Sequence, residues 1–334
     1  MKVLGIETSC DETAVAIVED GLKVHANLLA SQHHIHGRFG GVVPELASRA
    51  HLERLGPLMD RALEEAGMGW RDLDAVAVTR GPGLVGSLLV GMATAKAVAL
   101  ALGVPFIGVN HLEGHVYANF LEHGPPEPPY VCLIVSGGHT QLVHMPEEHR
   151  YEVLGQTLDD AAGEAFDKIA RFLGLGFPGG PELDALARTG DPSAIPFPRA
   201  MADSGDYDFS LSGLKTAVIR HVRAERQGDR EIDLPDLAAS FQEAVVDVQV
   251  QKTIAAARDQ GVGTVLLGGG VVANSRLRER MAAAAEEAGL TLHYPPLELC
   301  TDNAAMIAAA GASRLARGER DAFDLTVDPG LPLA

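Results

Sequence analysis

The sequence predicts an α/β protein built of two similar lobes, and three observations carry that expectation. Apolar runs of strand length alternate along the chain with longer helical patterns. A strand–polar loop–strand unit near the start, "KVLGIETSCDETAVAIV", returns about half a chain later as "YVCLIVSGGHTQLVHM". The length of 334 residues exceeds one ordinary domain, so two lobes are the natural division.

The expected elements follow in order. Apolar "VLGI", polar "ETSCDET" and apolar "AVAIV" read as strand, turn, strand. "PELASRAHLERLGPLMDRALEEAG" is an amphipathic helix with Pro44 in its first turn, where the missing N–H has no partner to lose. "DAVAVTR" is a strand and "GPG" a loop, and an apolar helix starts near Leu84, ahead of the strand "FIGVN". The Pro-rich "EHGPPEPPY" reads as the linker between lobes. Beyond it, helices are expected at "DDAAGEAFDKIARFLG", "LKTAVIRHVRAERQ", "DLPDLAASFQEAVVDVQVQKTIAAARDQG", "ANSRLRERMAAAAEEAG" and "DNAAMIAAAGASRLARG", with "TVLLGGG" a strand among them.

Composition narrows the function. A formal charge of -18 argues against a protein that coats nucleic acid unaided, because phosphate contacts need Lys and Arg. A local basic strip (Lys215, Arg220, Arg223, Arg226 and Arg230, with Arg276, Arg278 and Arg280) or a partner subunit could still supply them. An ordinary solvated helix face is an equal reading of that strip. Cys10, Cys132 and Cys300 form no CxxC pair and no disulfide ladder, which fits a reducing, cytoplasmic setting. The start "MKVLGIETSC" lacks a signal-peptide pattern because Glu7 interrupts its apolar run. The run "GSLLVGMATAKAVALALGVPFIGV" carries Lys96 in its middle and is broken by "GVP". It therefore reads as a buried helix followed by a strand, not as a membrane span.

Several motifs carry chemistry. In "VNHLEGHVYANF", His111 and His115 stand four apart and project from one helix face, so one ion can reach both. Glu113 lies about 200° round the helix from His111, which removes it as the general base of a zinc protease. Asp302 in "CTDNAAMIA" stands at a helix start, as an N-cap or as a third ligand, and the cap is the commoner role. The trio His33, His34 and His36 shares no face of a regular element and reads as a turn or contact surface. Three glycine loops complete the set. "SGGH" (Ser136, Gly137, Gly138, His139) suits either an anion nest or a plain hairpin turn. "LLGGGVVANSRL" runs strand, glycines, helix without the dinucleotide fingerprint. "FPGGPELDALA" opens a helix with Asp184 in its first turns, set for a ribose hydroxyl or for the helix dipole. Together the three point to a nucleotide-like ligand.

Taken in order, "GIETSCDETAVAIV", "GGVVPELASRAH", "TRGPGLVGSLLVG", "NHLEGHVYA", "VSGGHTQL", "DDAAGEAFDKIARFLGLGFPGGPELD", "DFSLSGLKTA", "LLGGGVVANSRLR" and "LCTDNAAMIA" resemble the tRNA adenosine threonylcarbamoyltransferase family, formerly called O-sialoglycoprotein endopeptidase. The blocks span nearly the whole chain. Leu211 replaces the family's usual aromatic in "DFSFSGLKTA".

The resemblance implies a duplicated two-lobe fold of the acetate kinase–Hsp70–actin type, with a ligand cleft between the lobes. The lobes are expected at 1–110, carrying partner contacts and the first phosphate-side loop, and at 111–334, carrying metal and adenylate. The last helix could pack back on the first lobe. It implies transfer of threonylcarbamoyl from threonylcarbamoyl-adenylate to N6 of adenosine 37 in tRNAs that read ANN codons, with release of AMP. His111, His115 and Asp302 match the family's metal ligands, for one divalent ion: iron first, with zinc or magnesium as the other choices. Ile134, Val135, Ser136, Gly137, Gly138, Asp167, Gly180, Asp184 and Asn274 match its adenylate-binding positions. Ser9 and Glu12 match its phosphate-side loop and are the candidate catalytic residues. Asp11 and substrate-assisted transfer stay open as routes for the amine proton. The implied partners are tRNA, an inactive paralogue and a small P-loop ATPase. A small-molecule kinase of the same fold is the alternative, ahead of a metalloprotease or a non-catalytic scaffold.

Overall fold

The computed structural model describes residues 1–121 and 124–334. Glu122 and His123, which open the Pro-rich stretch, lie outside the described residues. The chain forms two compact units: Met1–Pro126 with Pro295–Leu333, and Glu127–Tyr294 with Ala334. The division falls inside the Pro-rich stretch, as the composition suggests. A boundary at 110/111 instead cuts through the first unit, between a strand and the helix that follows it.

The first unit is built on β1 (Lys2–Glu7), β2 (Glu12–Glu19), β3 (Lys23–Ser31), β4 (Ala75–Gly81) and β5 (Phe106–Asn110), in sheet order β3-β2-β1-β4-β5. The β1–β2 and β2–β3 pairs are antiparallel, and β1–β4 and β4–β5 are parallel. Side chains alternate across a strand, and here the two faces differ in size. Leu4, Ile6, Val15, Ile17, Val76 and Val78 fill one face and pack against Leu55, Met59 and Ala62 of the helix Pro44–Ala66 and Ala95 and Ala99 of the helix Val85–Leu102.

The opposite face is made of small residues. Gly5 pairs with Ala16 on one side and Ala77 on the other, so three strands present a shallow row. The alanine-rich helix Ala304–Ala316 lies directly on it. A Cβ at Gly5 would come within 2.3 Å of the Ala304 carbonyl oxygen, and one at Gly311 within 2.4 Å of the Ala77 Cβ. This close approach carries the start of the last helix to the end of the first sheet.

The apolar helix Val85–Leu102 is long and apolar enough to cross a membrane by length and composition, with a mean hydropathy of 1.8. It packs as a surface layer of the first unit. Gly91 lies against Thr8, whose Oγ1 would sit 2.4 Å from an added Cβ, and Lys96 Nζ donates to the Leu325 carbonyl at 2.5 Å. The helix is not buried all round, however: Val85 is 54%, Leu89 52% and Leu100 70% exposed.

The second unit repeats the plan. Its strands are β6 (Tyr130–Val135), β7 (Thr140–Glu147), β8 (Arg150–Gln156), β9 (Thr264–Gly268) and β10 (Thr291–His293), in order β10-β9-β6-β7-β8. Again the first three strands run antiparallel and the last two join in parallel. The helix Leu234–Asp259 is the longest helix of this unit; Asp233 caps it by accepting from the Asp236 amide at 3.0 Å. Its Phe241 ring meets Phe166 of the helix Ala162–Leu173 edge-on at 5.3 Å. The shared topology extends the duplication seen in sequence from two strands to five. The third strand of each sheet has no clear alternation of buried and exposed positions, and a register shift interrupts its pairing. That is why β3 and β8 escape a reading based on period-2 patterning.

Candidate metal centre and glycine loops

β5 runs straight into the helix His111–Tyr117, so its first residue points off the sheet end. Asn110 caps the turn by accepting from the Leu112 amide at 2.8 Å, and is itself fixed by donating to the Pro332 carbonyl at 2.8 Å. Gly114, between the two histidines, lets this helix close on the last one; a Cβ there would lie 2.9 Å from Ile307 Cδ1.

His111 and His115 are buried, their rings edge-to-face with centroids 4.7 Å apart. Asp302 Oδ1 lies 3.4 Å from His111 Nε2 and 3.3 Å from His115 Nε2. Asp302 is not the cap of the last helix. Asn303 takes that role, accepting from the Met306 amide at 3.1 Å, which frees the Asp302 carboxylate to face the histidines.

The three residues fit a metal. Among the described residues neither ring nitrogen of His115 has a hydrogen-bond partner although the side chain is fully buried, an arrangement that is costly for an imidazole unless something else binds it. Distances of 3.3 and 3.4 Å are long for hydrogen bonds. They match the roughly 3.3–3.4 Å edge between ligands about 2.0–2.1 Å from a common tetrahedral ion. Electrostatics agree. Burial works to raise the Asp302 carboxyl, but the two histidines outweigh it and hold the group well below the usual carboxylate range. Burial works to lower His111, but Asp302 and Glu7 outweigh it and push the ring well up; burial leaves His115 depressed. A site that brings a fully buried carboxylate, Glu7, and a second, largely covered one, Asp302, to the same histidines asks for a cation.

Glu7 is the member that sequence reasoning missed. It is fully buried; Oε2 accepts from Thr79 Oγ1 at 2.5 Å and lies 2.9 Å from His111 Nδ1, and Oε1 accepts from the Ser9 amide. A carboxylate on Nδ1 fixes the tautomer and leaves the Nε2 lone pair facing Asp302 and His115. The available signal was an acid inside the apolar run of the first strand. Ser9 Oγ approaches the same Nδ1 at 3.3 Å.

Asp11, Glu12 and His33 form a second convergence, their ligand-type atoms all within 4.8 Å of one another. The three neighbouring histidines do part company, as their spacing suggests. His33 turns to Glu12, His34 lies near Arg54, and His36 is buried between Gln32 and the Val43 amide. Glu113 turns to Arg314 instead, with its Oε2 3.9 Å from Arg314 Nη1.

In the second unit the adenylate candidates gather at one end of β6 and β9. Ser136 closes the β6–β7 hairpin, its amide donating to the His139 carbonyl at 2.8 Å. The amides of Gly137 and Gly138 have no hydrogen-bond partner among the described residues, and both glycines border open space. The turn and the nest are thus one structure: Ser136 and His139 make the turn, and the two glycine amides stay available. Ile134 and Val135 are fully buried strand residues. Gly269, at φ +99°, packs on them, for an added Cβ would lie 2.3 Å from the Val135 carbonyl oxygen. Asp167 Oδ1 accepts from the Gly179 amide at 2.7 Å, which ties the helix start bearing Gly180 to the helix Ala162–Leu173.

Asp184 and Asn274 are more committed than expected. Asp184 Oδ1 accepts from Ser275 Oγ at 2.7 Å and Oδ2 from Arg188 at 2.9 Å. Asn274 caps the helix Ser275–Ala288 through the Leu277 amide at 3.0 Å and donates to Gln242 Oε1 at 2.8 Å. Both first serve to lock the loop after β9.

The basic strip contracts. Lys215 is paired with Asp160, Arg230 with Glu225, and Arg276 and Arg280 with Glu243. Arg278 lies over the Tyr294 ring at 4.6 Å. Arg220, Arg223 and Arg226 remain exposed on the helix Ser212–Gln227 without an ion pair among the described residues.

Two sheets of identical five-strand topology, each led by an antiparallel hairpin, define a protein of the acetate kinase–Hsp70–actin type. Solved structures share this fold at low identity. Full-length HypF superposes with a TM-score of 0.61 at 13% identity, over 95% of this chain and 46% of that one. The (R)-2-hydroxyglutaryl-CoA dehydratase component A of Acidaminococcus fermentans does so with 0.56 at 16%, over 95% and 99%. Within that class the family model described as tRNA N6-adenosine threonylcarbamoyltransferase matches residues 23–309. Proteins of that name are 58% identical in Symbiobacterium thermophilum, over 99% of this chain and 96% of theirs, and 53% identical in Bacillus subtilis, over 100% and 96%. This chain belongs to the tRNA N6-adenosine threonylcarbamoyltransferase family.

Proposed function

We propose that this enzyme transfers the threonylcarbamoyl group from threonylcarbamoyl-adenylate to N6 of adenosine 37 in tRNAs reading ANN codons, and releases AMP. The observation that supports the reading best is the convergence of His111, His115 and Asp302, with His111 backed by buried Glu7. An adenine N6 amine is a weak nucleophile because its lone pair is delocalised into the ring, so the acyl donor must be activated and its charge stabilised. The residues His111, His115 and Asp302 would hold one divalent metal, which would supply Lewis-acid polarisation of an oxygen of the donor. Two imidazoles and one carboxylate suit iron(II) or zinc, with iron the choice by family; magnesium, which prefers oxygen ligands, suits them less.

The chain's own groups do the rest. The free amides of Gly137 and Gly138 receive an anionic oxygen of the adenylate; such a donor is typically worth about 3 kcal/mol in a transition state. Ile134, Val135 and Ser136 set the height of that turn, and Asp167, Gly180, Asp184 and Asn274 shape the nucleoside pocket. Ser9 and Glu12 work on the first unit's loop, and Glu12 takes the amine proton. Arg220, Arg223 and Arg226 are the surface that meets tRNA phosphates. An inactive paralogue covers the exposed apolar residues Leu52 on the helix Pro44–Ala66 and Val85 and Leu89 on the helix Val85–Leu102; Leu52 is 69% exposed. A small P-loop ATPase completes the assembly, in the cytoplasm.

The test is transfer itself. Wild type and Asp302→Ala are given threonylcarbamoyl-adenylate, unmodified tRNA and the partner proteins, followed by nucleoside mass spectrometry. A threonylcarbamoyl-adenosine peak that requires this chain and falls at least about a hundredfold with Asp302→Ala supports both reaction and metal. A peak indifferent to the substitution keeps the reaction and removes the metal's part. ATP hydrolysis or phosphorylation of a small acceptor in its place would favour a kinase of the same fold.

A further inference from the structure

We propose that His33 is a positioning residue for the transfer reaction: it orients the Glu12 carboxylate through a hydrogen bond, and gives the proton that Glu12 removes from the amine a path to solvent. The inference rests on the reading of Glu12 as the group that takes that proton.

The geometry begins with the backbone. Glu12 opens β2 and pairs across the sheet with Ser31, the last residue of β3. The chain then turns into the short helix His33–His36; one bond ties that turn to the loop ahead of Glu12 and a second closes the turn itself. The Gln32 amide donates to the Asp11 carbonyl at 3.1 Å, and the His33 amide donates to Ser31 Oγ at 3.2 Å. Gln32 is fully buried and is held in turn by His36 at 3.1 Å. The result is that His33 Nε2 lies 3.1 Å from Glu12 Oε1 and 3.9 Å from Asp11 Oδ2.

The three side chains differ in exposure. Glu12 and Asp11 keep only 13% and 11% of their side-chain surface, whereas His33 keeps 41%. The titratable groups facing Glu12 are Cys10 and Asp11 on its own loop, Asp302 ahead of the last helix, and His33. Burial raises the Glu12 carboxyl most and the His33 hydrogen bond pulls it down, so removing His33 moves the base in the direction of a higher pH.

The step balances without an added reagent. The N6 lone pair forms the N–C bond to the carbamoyl carbon, the C–O bond to phosphate breaks, and its electron pair leaves with AMP. The amine proton passes to Glu12 and from there, by way of the exposed imidazole, to water.

The experiment is the pH profile of single-turnover transfer, between about pH 6 and 9, for the full assembly carrying wild type, His33→Ala, His33→Asn or Glu12→Gln. Thermal midpoints and adenylate binding are measured on each variant to confirm folding. The expected result for both His33 variants is an ascending limb moved up by about one pH unit. The rate then falls about tenfold at the acid end, stays within about twofold of wild type at the alkaline end, and is restored at the acid end by added imidazole. A profile that overlays wild type, or a uniform loss with no response to imidazole, overturns the proposal. Glu12→Gln separates the two layers. If it still transfers, the role of Glu12 falls and this inference with it. If it is inactive while the His33 profiles are unchanged, only the inference about His33 falls.

Discussion

Nδ1 of His111 stands 2.9 Å from Oε2 of Glu7, a carboxylate with no solvent exposure at the end of the first strand. One ring nitrogen of the histidine is thereby committed, and the other faces Asp302, where the proposed metal would bind.

Replacing that carboxylate tests the arrangement directly. Glu7→Gln keeps the volume but removes the charge that orients the imidazole, so metal affinity should fall about 10–100-fold. Competition against a chelator of known affinity measures it. Unchanged affinity would reduce Glu7 to an acceptor for the Ser9 amide and the Thr79 hydroxyl.

The row of small residues under the last helix makes a second prediction. In Gly5→Ala the new Cβ meets a backbone oxygen, which cannot rotate away, so the helix Ala304–Ala316 must shift. Overpacking of this kind costs about 1–3 kcal/mol. Chemical denaturation should show that loss, and the same shift should weaken metal binding because Asp302 moves with the helix start. Stability lost with metal affinity intact would mean that Asp302 is positioned by its own loop instead.

Gly269 carries the corresponding load in the second unit. It adopts φ +99° and has no room for a Cβ beside Val135. Gly269→Ala should weaken AMP binding about tenfold or more, since strain of about 1–3 kcal/mol is relieved only by moving the β6–β7 turn or the Asn274 cap. Calorimetric titration with AMP reads the change.

Acid stability should report on Asp159. Burial works to raise its carboxyl, but the Ser210 and Ser212 hydroxyls and the Leu211 and Ser212 amides donate to it and bring it down to about 2. A carboxyl depressed in the folded state contributes stability that is complete above its unfolded pKa of about 3.9 and is lost as pH falls through the folded value. Asp159 is solvent-exposed, so after screening the contribution is at most about 1 kcal/mol. Asp159→Asn should therefore lower stability at pH 7 slightly and flatten the fall in stability between about pH 4 and 2. A denaturation series across that range checks it; an unaltered slope would assign the acid sensitivity to other groups.

Much of this was legible in the chain itself because it depends on neighbours a few residues apart. The i, i+4 histidines, the strand–loop–strand repeat and the glycine loops are local patterns with local physical causes. The sequence alone determined that the chain is α/β and duplicated, and which histidines could share an ion. Three matters depended on contacts between distant segments. Asp302 and Asn303 are equally good caps by local rules, and packing of the last helix on Gly5, Ala16 and Ala77 decided which one faces the histidines. Glu7 looks like an interruption of an apolar run until Thr79 and His111, far along the chain, surround it. Arg276, Arg280 and Lys215 look like a basic surface until Glu243 and Asp160 are folded against them. Burial and pairing of charges are properties of the tertiary structure, because desolvation depends on everything that comes close, whatever its distance in sequence.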